Sequence, residues 1–230
     1  PPRGRGIGNA PLRLVADDGA AALVSELPAG ELQLGHDDML VHARVLEAAI
    51  ATGTVLPMRF GVVMSGPEEI RQRLLEDHAA EIAMQLEELD GKVEVRIRAS
   101  YEPDALLREV VREDPEIQAL RRSMASRSED ATYYARIELG ERVAAAVQRK
   151  REHDAVAILE ALSPVALALD EGETDHERIV LNASFLVERA ALERFDEVLE
   201  TVAAGNAGRL RFKYTGPLPP HSFVQLAGST

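Results

Sequence analysis

The chain has 230 residues, of which 46% are apolar and 28% charged, a balance that supports one large core or two small ones. Its formal net charge of −13 argues against phosphate backbones and anionic lipid as partners. The absence of cysteine excludes disulfides, thiolate metal sites and cysteine nucleophiles. The longest apolar stretch, 155–169, is broken by Glu160, Ser163 and Pro164 and is too short to span a bilayer. Residues 1–10 lack the apolar region of a secretion signal, and no initiator Met is present.

Residues 1–11 are rich in Gly and Pro and read as a loop. Two apolar runs, 12–16 and 21–27, flank Asp17-Asp18-Gly19 and predict a β-hairpin. Asp37 and Asp38 open a helix, where carboxylates meet free N–H groups and the positive end of the dipole. Leu40, Ala43, Leu46 and Ile50 keep helical spacing to a stop at Gly53. Residues 55–64 read as a strand with Pro57 at an edge or bulge. Ser65-Gly66-Pro67-Glu68 starts a second helix ending at Gly91. Val93, Val95 and Ile97 alternate with Glu94, Arg96 and Arg98, a strand with one wet face. The first hundred residues thus predict β-β-α-β-α-β, helices layered on a sheet.

Residues 103–162 read as mostly helical, with a break at Pro115, a polar turn at 123–130 and a long, thinly amphipathic last helix weakened at Arg151 and Asp154. Such a helix projects, pairs as a helical hairpin or meets another protein. Strands follow at 164–169 and 179–187 around an acidic turn. A helix with Leu192, Phe195, Leu199 and Val202 on one face runs to Gly205. Leu210, Phe212 and Tyr214 then alternate with Arg209, Arg211 and Lys213 in a one-sided strand. A proline-fixed turn at 214–220 leads to a last short strand at 221–225. Two domains are expected: an α+β domain over 1–101, and a second over 102–230 that is helical at 103–162 and α+β at 163–230.

Chemistry-bearing patterns are few. Gly4, Gly6 and Gly8 lack the spacing and the strand–helix context of a dinucleotide loop. The acid-rich turn at 170–177 offers oxygen ligands without EF-hand spacing. His36 and His42 diverge on a helix, and neither an HExxH nor a GxSxG motif occurs. No catalytic, cofactor-binding or metal-ligating residue is assigned, and no enzyme activity or cofactor is expected. Two positive stripes in this acidic chain are candidate contacts for a partner: Arg96 with Arg98, and Arg209, Arg211 with Lys213. Pro57, Arg59 and Phe60 are added, because a plain core strand avoids both proline and a charge.

Five segments, in order, carry a resemblance: 37–47 (DDMLVHARVLE), 55–61 (VLPMRFG), 137–143 (IELGERV), 182–187 (NASFLV) and 214–223 (YTGPLPPHSF). Together they make the chain similar to the gas vesicle protein F/L (GvpF/GvpL) family over nearly its whole length. Family members usually begin with a short aromatic strand that is missing here, so the first sheet is expected to be one strand short or edge-exposed. His221 stands where Tyr is more usual.

The resemblance implies two α+β domains, the first ferredoxin-like and the second with helical-hairpin character. It also implies a non-enzymatic accessory structural or assembly protein of the gas vesicle, a gas-filled protein shell in the cytoplasm that confers buoyancy. The implied partners are the small hydrophobic major shell protein (GvpA) and other gas vesicle accessory proteins, with neither nucleic acid nor membrane. The alternative is a ferredoxin-like module that binds a small ligand or regulates.

Overall fold

The computed structural model describes residues 4–17, 19–27, 34–125, 132–174 and 176–225. The protein is α+β, with helices and two sheets. It divides into two compact units. The first contains Pro1–Val95, Leu186–Ala190 and Gly216–Thr230; the second contains Arg96–Phe185 and Ala191–Thr215.

In the first unit, β1 (Leu12–Asp17) and β2 (Ala20–Ser25) form the predicted antiparallel hairpin, in a register that sets Leu14 opposite Leu23 and Val15 opposite Ala22. They constitute a two-stranded sheet of their own. Val15 is buried with Ile70, Leu75 and Ile82, and Ala20, Ala22 and Val24 pack on that cluster. Helix α1 (His36–Ile50) starts as the acidic pair predicts, with Gly35 N donating to Asp38 Oδ2 at 2.9 Å. The second predicted helix is interrupted. An α-helical turn, α2 (Pro67–Glu69), continues as a π-helix (Ile70–Glu76), and α3 (Ala79–Glu88) follows. Glu69 Oε2 accepts from both Ser65 N and Ser65 Oγ at 2.7 Å, which caps the start and lowers the Glu69 pKa.

The strand predicted at 55–64 does not form: this stretch is irregular, with a turn at Phe60 and Gly61, and Gly61 has φ +94°. The β-β-α-β-α-β layer is therefore not one sheet. β3 (Lys92–Tyr101) belongs to a four-stranded sheet of order β4-β5-β3-β6 with β4 (Ala168–Glu171), β5 (Ile179–Glu188) and β6 (Leu210–Leu218). β4 begins later than predicted, because Ser163–Val165 is a 3₁₀ turn.

In the second unit, α4 (Ala105–Glu113) and α5 (Pro115–Met124) meet at Asp114, whose carboxylate accepts from Glu116 N and Ile117 N at 2.9 and 3.1 Å. Pro115 thus starts a helix as well as ending one. The polar turn predicted at 123–130 lies mostly outside the described residues, though α5 itself reaches Met124. α6 (Tyr133–Leu162) is 30 residues long. Its first half buries Ala146 with Val110 and Ile117, and Leu139, Val143 and Val147 pack alongside. α7 (Leu192–Gly205) sets Phe195 against Phe185 of β5, with ring centroids 5.4 Å apart.

Glu94 corrects the expectation of a wet strand face. It is fully buried in the first unit, and its carboxylate accepts from Ser222 N at 2.8 Å and Ser222 Oγ at 3.1 Å. Gln85 of α3, also buried, exchanges two bonds with the Gln225 backbone at 2.5 and 2.9 Å. These contacts fix the C-terminal segment as a 3₁₀ turn (His221–Phe223), in place of the predicted last strand. Gly216 lets β6 close on β3, since a Cβ there would lie 3.2 Å from Glu94 O. A Glu94→Ala substitution leaves the Ser222 amide without its acceptor. It is expected to free 221–225, seen as at least tenfold faster amide exchange at Ser222 and Gln225 and a loss of about 2 kcal/mol in urea unfolding.

Candidate functional site

The charged residues singled out on the last strand point in different directions. Arg209, just before β6, turns inward. Its Nε donates to Glu109 Oε1 at 2.7 Å, its Nη2 pairs with Asp154 Oδ2, and its guanidinium lies 5.8 Å from the Tyr101 ring centroid. Asp154 also accepts from Tyr101 Oη. Lys150 joins the same network through Glu113 at 2.8 Å and Glu109 at 3.2 Å. Residues of β3, α4, α6 and the start of β6 are thereby tied together inside the second unit. Asp154, which weakens the apolar stripe of α6 in sequence, is 7% exposed and held by two partners.

Burial opposes the charges of Arg209 and Lys150, but their carboxylate partners outweigh it and both pKa values rise. Burial, then the bond to Asp154, pushes the Tyr101 phenol well above its ordinary range. Tyr214 is pushed up to about 12 by burial and by Asp196.

The other basic candidates lie nearer solvent. Arg211 is exposed and grips Glu102 through both carboxylate oxygens at 3.0 Å. Arg96 is exposed and donates to Ser184 Oγ at 3.3 Å. Arg98 and Lys213 are exposed. These four and Arg209 belong to the second unit, whereas Pro57, Arg59 and Phe60 belong to the first. Pro57 is buried, Arg59 is exposed, and Phe60 meets His42 edge-on at 5.8 Å between centroids. His42 Nε2 lies 3.1 Å from Met58 O. The eight candidates are thus divided between the two units.

A groove of about 700 Å³ in the second unit is lined by Glu113, Asp114, Glu116, Arg149, Lys150 and His153. Most of its charge is already engaged: Glu113 with Lys150, Glu116 with Arg142, and Asp114 with the start of α5. Among the described residues no group of three or more His, Asp or Glu side chains is placed to hold a metal ion. No described helix is long and apolar enough to cross a membrane.

The feature that composition arguments missed is the outer face of the β1–β2 hairpin. Residues opposite one another share a face. Val15, Ala20, Ala22 and Val24 face the core, which places Leu12, Leu14, Ala16, Ala21 and Leu23 on the other side. An antiparallel sheet packed on one side normally presents polar residues on the other. Here that side is apolar except for Ser25 opposite Leu12, and Leu14 is 50% exposed. Gly6 allows the N-terminal segment to approach one end of it, since a Cβ there would come 2.2 Å from Ser25 Oγ. The Asp17–Gly19 turn and the alternation around it already imply the pairing of Leu14 with Leu23, so this face was legible in principle. Val62 and Val63, 54% and 51% exposed, add apolar surface in the same unit.

Two measurements check the inward network. Asp154→Ala leaves Arg209 Nη2 and the Tyr101 hydroxyl without their acceptor, and is expected to destabilise by about 3 kcal/mol in denaturant unfolding. Tyr101, Tyr214 and Lys150 each hold a proton more tightly folded than unfolded. Their contribution is complete below about pH 10 and is lost as pH rises further. Stability from these groups should therefore be flat from about pH 7 to 9 and fall above about pH 10, with Tyr214 ionising near pH 12 by its phenolate absorbance.

The family model described as gas vesicle synthesis protein GvpL/GvpF matches residues 1–225. Gas vesicle protein F of Streptomyces sp. (strain CB03234) is 38% identical over 223 residues, covering 96% of this chain and 91% of that protein. The crystal structure of GvpF from Anabaena sp. PCC7120 matches with TM-score 0.86 at 23% identity, over 97% of this chain and 91% of that one. The crystal structure of GvpF from Microcystis aeruginosa matches with TM-score 0.78 at 23% identity, over 96% and 92%. At that identity the two structures speak to the fold, which they share with this protein. The chain belongs to the gas vesicle synthesis protein GvpL/GvpF family and has a role in gas vesicle formation.

Proposed function

We propose that this protein binds the small hydrophobic major shell protein, GvpA, while the gas vesicle wall is nucleated and assembled, and that it acts at the gas vesicle in the cytoplasm. The observation that carries this reading is the apolar outer face of the hairpin, Leu14 with Leu23 and Ala16 with Ala21, in a chain of net charge −13. A wall subunit built to keep liquid water out of a gas space carries apolar surface before it is incorporated. Such surface aggregates unless something covers it. A protein that offers one apolar face while its remaining charge keeps it dispersed can hold that subunit without following it out of solution. The groove beside α6 gives the small-ligand alternative no comparable support, because its carboxylates are engaged within the chain.

The test is co-purification and titration of the full chain with the shell protein. Leu14→Glu alters an outward, half-exposed side chain, so the melting temperature is expected to stay within about 2 °C of wild type. Its affinity for the shell protein is expected to fall at least about tenfold, whereas Lys213→Glu changes affinity less than about twofold. Wild-type affinity in Leu14→Glu would refute the assignment of this face.

A further inference from the structure

β4 and β6 are the outer strands of the four-stranded sheet, and among the described residues no further strand pairs with either. An outer strand presents a row of backbone groups to any other strand that can align with it. Here the two edges differ in sign. β4 and the turn after it expose Asp170, Glu171 and Glu173, none of which has an ion pair among the described residues. β6 exposes Arg211, which grips Glu102, and Lys213, which has no ion pair among the described residues. β4 contains no base and β6 no acid.

The charges share one face. A Cβ on Gly172 would come 2.7 Å from Asn182 Nδ2, so these two residues face the same way. By the two-residue repeat, Asp170 and Ser184 face with them. Ser184 Oγ accepts from Arg96 Nε at 3.3 Å, which puts Arg96 and Arg98 on that face. Arg211 reaches Glu102 at the end of β3, in step with Arg98, so Arg211 and Lys213 belong to the same face. Leu169, Phe212 and Tyr214 then lie on the opposite one, with Leu169 and Tyr214 each 36% exposed. All of these residues are in the second unit.

Neighbouring strands run antiparallel. The end of β3 meets the start of β5 where Tyr101 N donates to Arg178 O at 2.9 Å, and the start of β6 where Glu102 N donates to Arg209 O at 3.0 Å. β4 and β5 are joined by a short turn, across which Gly172 N donates to Asn182 O at 2.8 Å. The two edges of such a sheet run in opposite directions. A second copy, shifted sideways without being turned over, therefore lays its β6 antiparallel to β4 of the first. Asp170 then meets the basic row of Arg211 and Lys213, and Leu169 falls beside Phe212 and Tyr214. Joining β4 to β4 sets acid on acid, and joining β6 to β6 sets base on base.

We propose that the protein associates head to tail with a second copy of itself, the acidic β4 edge of one chain pairing with the basic β6 edge of the next. The proposal is independent of the shell-protein reading. Each contact leaves one edge open at either end, so association continues past the dimer. With only four residues on β4, the contact is weak and becomes evident above about 0.1 mM.

The experiment is sedimentation of the full chain over a range of concentrations, in wild type, Asp170→Lys, Lys213→Asp and the double variant. Both side chains are exposed, so melting temperatures are expected to stay within about 2 °C of wild type. The wild-type average mass is expected to rise past that of two chains. Each single reversal weakens association about fivefold, and the double variant returns to within about twofold of wild type, because opposite signs meet again. Amide exchange of the concentrated wild type, which needs no variant, is expected to slow at both 168–171 and 211–214. A monomer at every concentration up to about 1 mM overturns the proposal. So does a mass that levels off at two chains, or slowed exchange at one edge alone, since either shows a symmetric contact. Association that neither single reversal weakens, or that the double variant fails to restore, overturns the β4–β6 pairing as well.

Discussion

A two-stranded antiparallel sheet leaves two edges unpaired and, when helices cover one side, a whole face open. Two strands bury too little surface to be stable in water by themselves, so the hairpin of this protein depends on the helices beneath it. Val15, with Ala20, Ala22 and Val24, supplies that attachment against Ile70, Leu75 and Ile82. Outside, Leu14, Ala16 and Ala21 meet solvent, and Ser25 opposite Leu12 is the polar residue the register places on that face. The proposed function draws on this apolar outer stretch, which is suited to holding something apolar.

The second unit follows the opposite logic. Its charges close on one another. Arg209 bridges Glu109 and Asp154, Lys150 bridges Glu109 and Glu113, and the Tyr101 hydroxyl completes the coordination of Asp154. A half-buried guanidinium with two carboxylates and an aromatic face has little left to offer a partner, and removing Asp154 leaves the Tyr101 hydroxyl and one arm of Arg209 desolvated without their acceptor. Such a network fixes where α4 and α6 stand against the strands more than it adds net stability. The long α6 owes its position to these contacts and to Val143 and Ala146, which is why its sequence looks only thinly amphipathic.

Much of this was readable from the chain. The two apolar runs of the hairpin, the acidic start of α1, Pro115 and the alternation in β5 and β6 are local signals, and each formed the element it implied. Residues 55–64 deceived because composition favours a strand, whereas a strand exists only with a neighbour to pair its backbone. Glu94 deceived because alternation assigned it to water, and its acceptor role became visible only when Ser222, 128 residues later in sequence, folded onto it. Arg209 deceived for the same reason, with Asp154 and Glu109 far away along the chain. The family resemblance rested on motifs, and its F/L identity was legible, while the hairpin's outer face was in plain sight but unremarked, because a run of Leu, Val and Ala reads as core whichever way it points.

The most direct test of this account places a photo-crosslinking residue at position 14 or 59 in the first unit, and at position 213 or at Tyr134, a residue of α6 that is 84% exposed, in the second, in full-length protein co-expressed with the shell protein. The account predicts adducts to the shell protein from positions 14 and 59, and little from 134 and 213. Adducts confined to the second unit, or none from any position in cells that assemble vesicles, would contradict it.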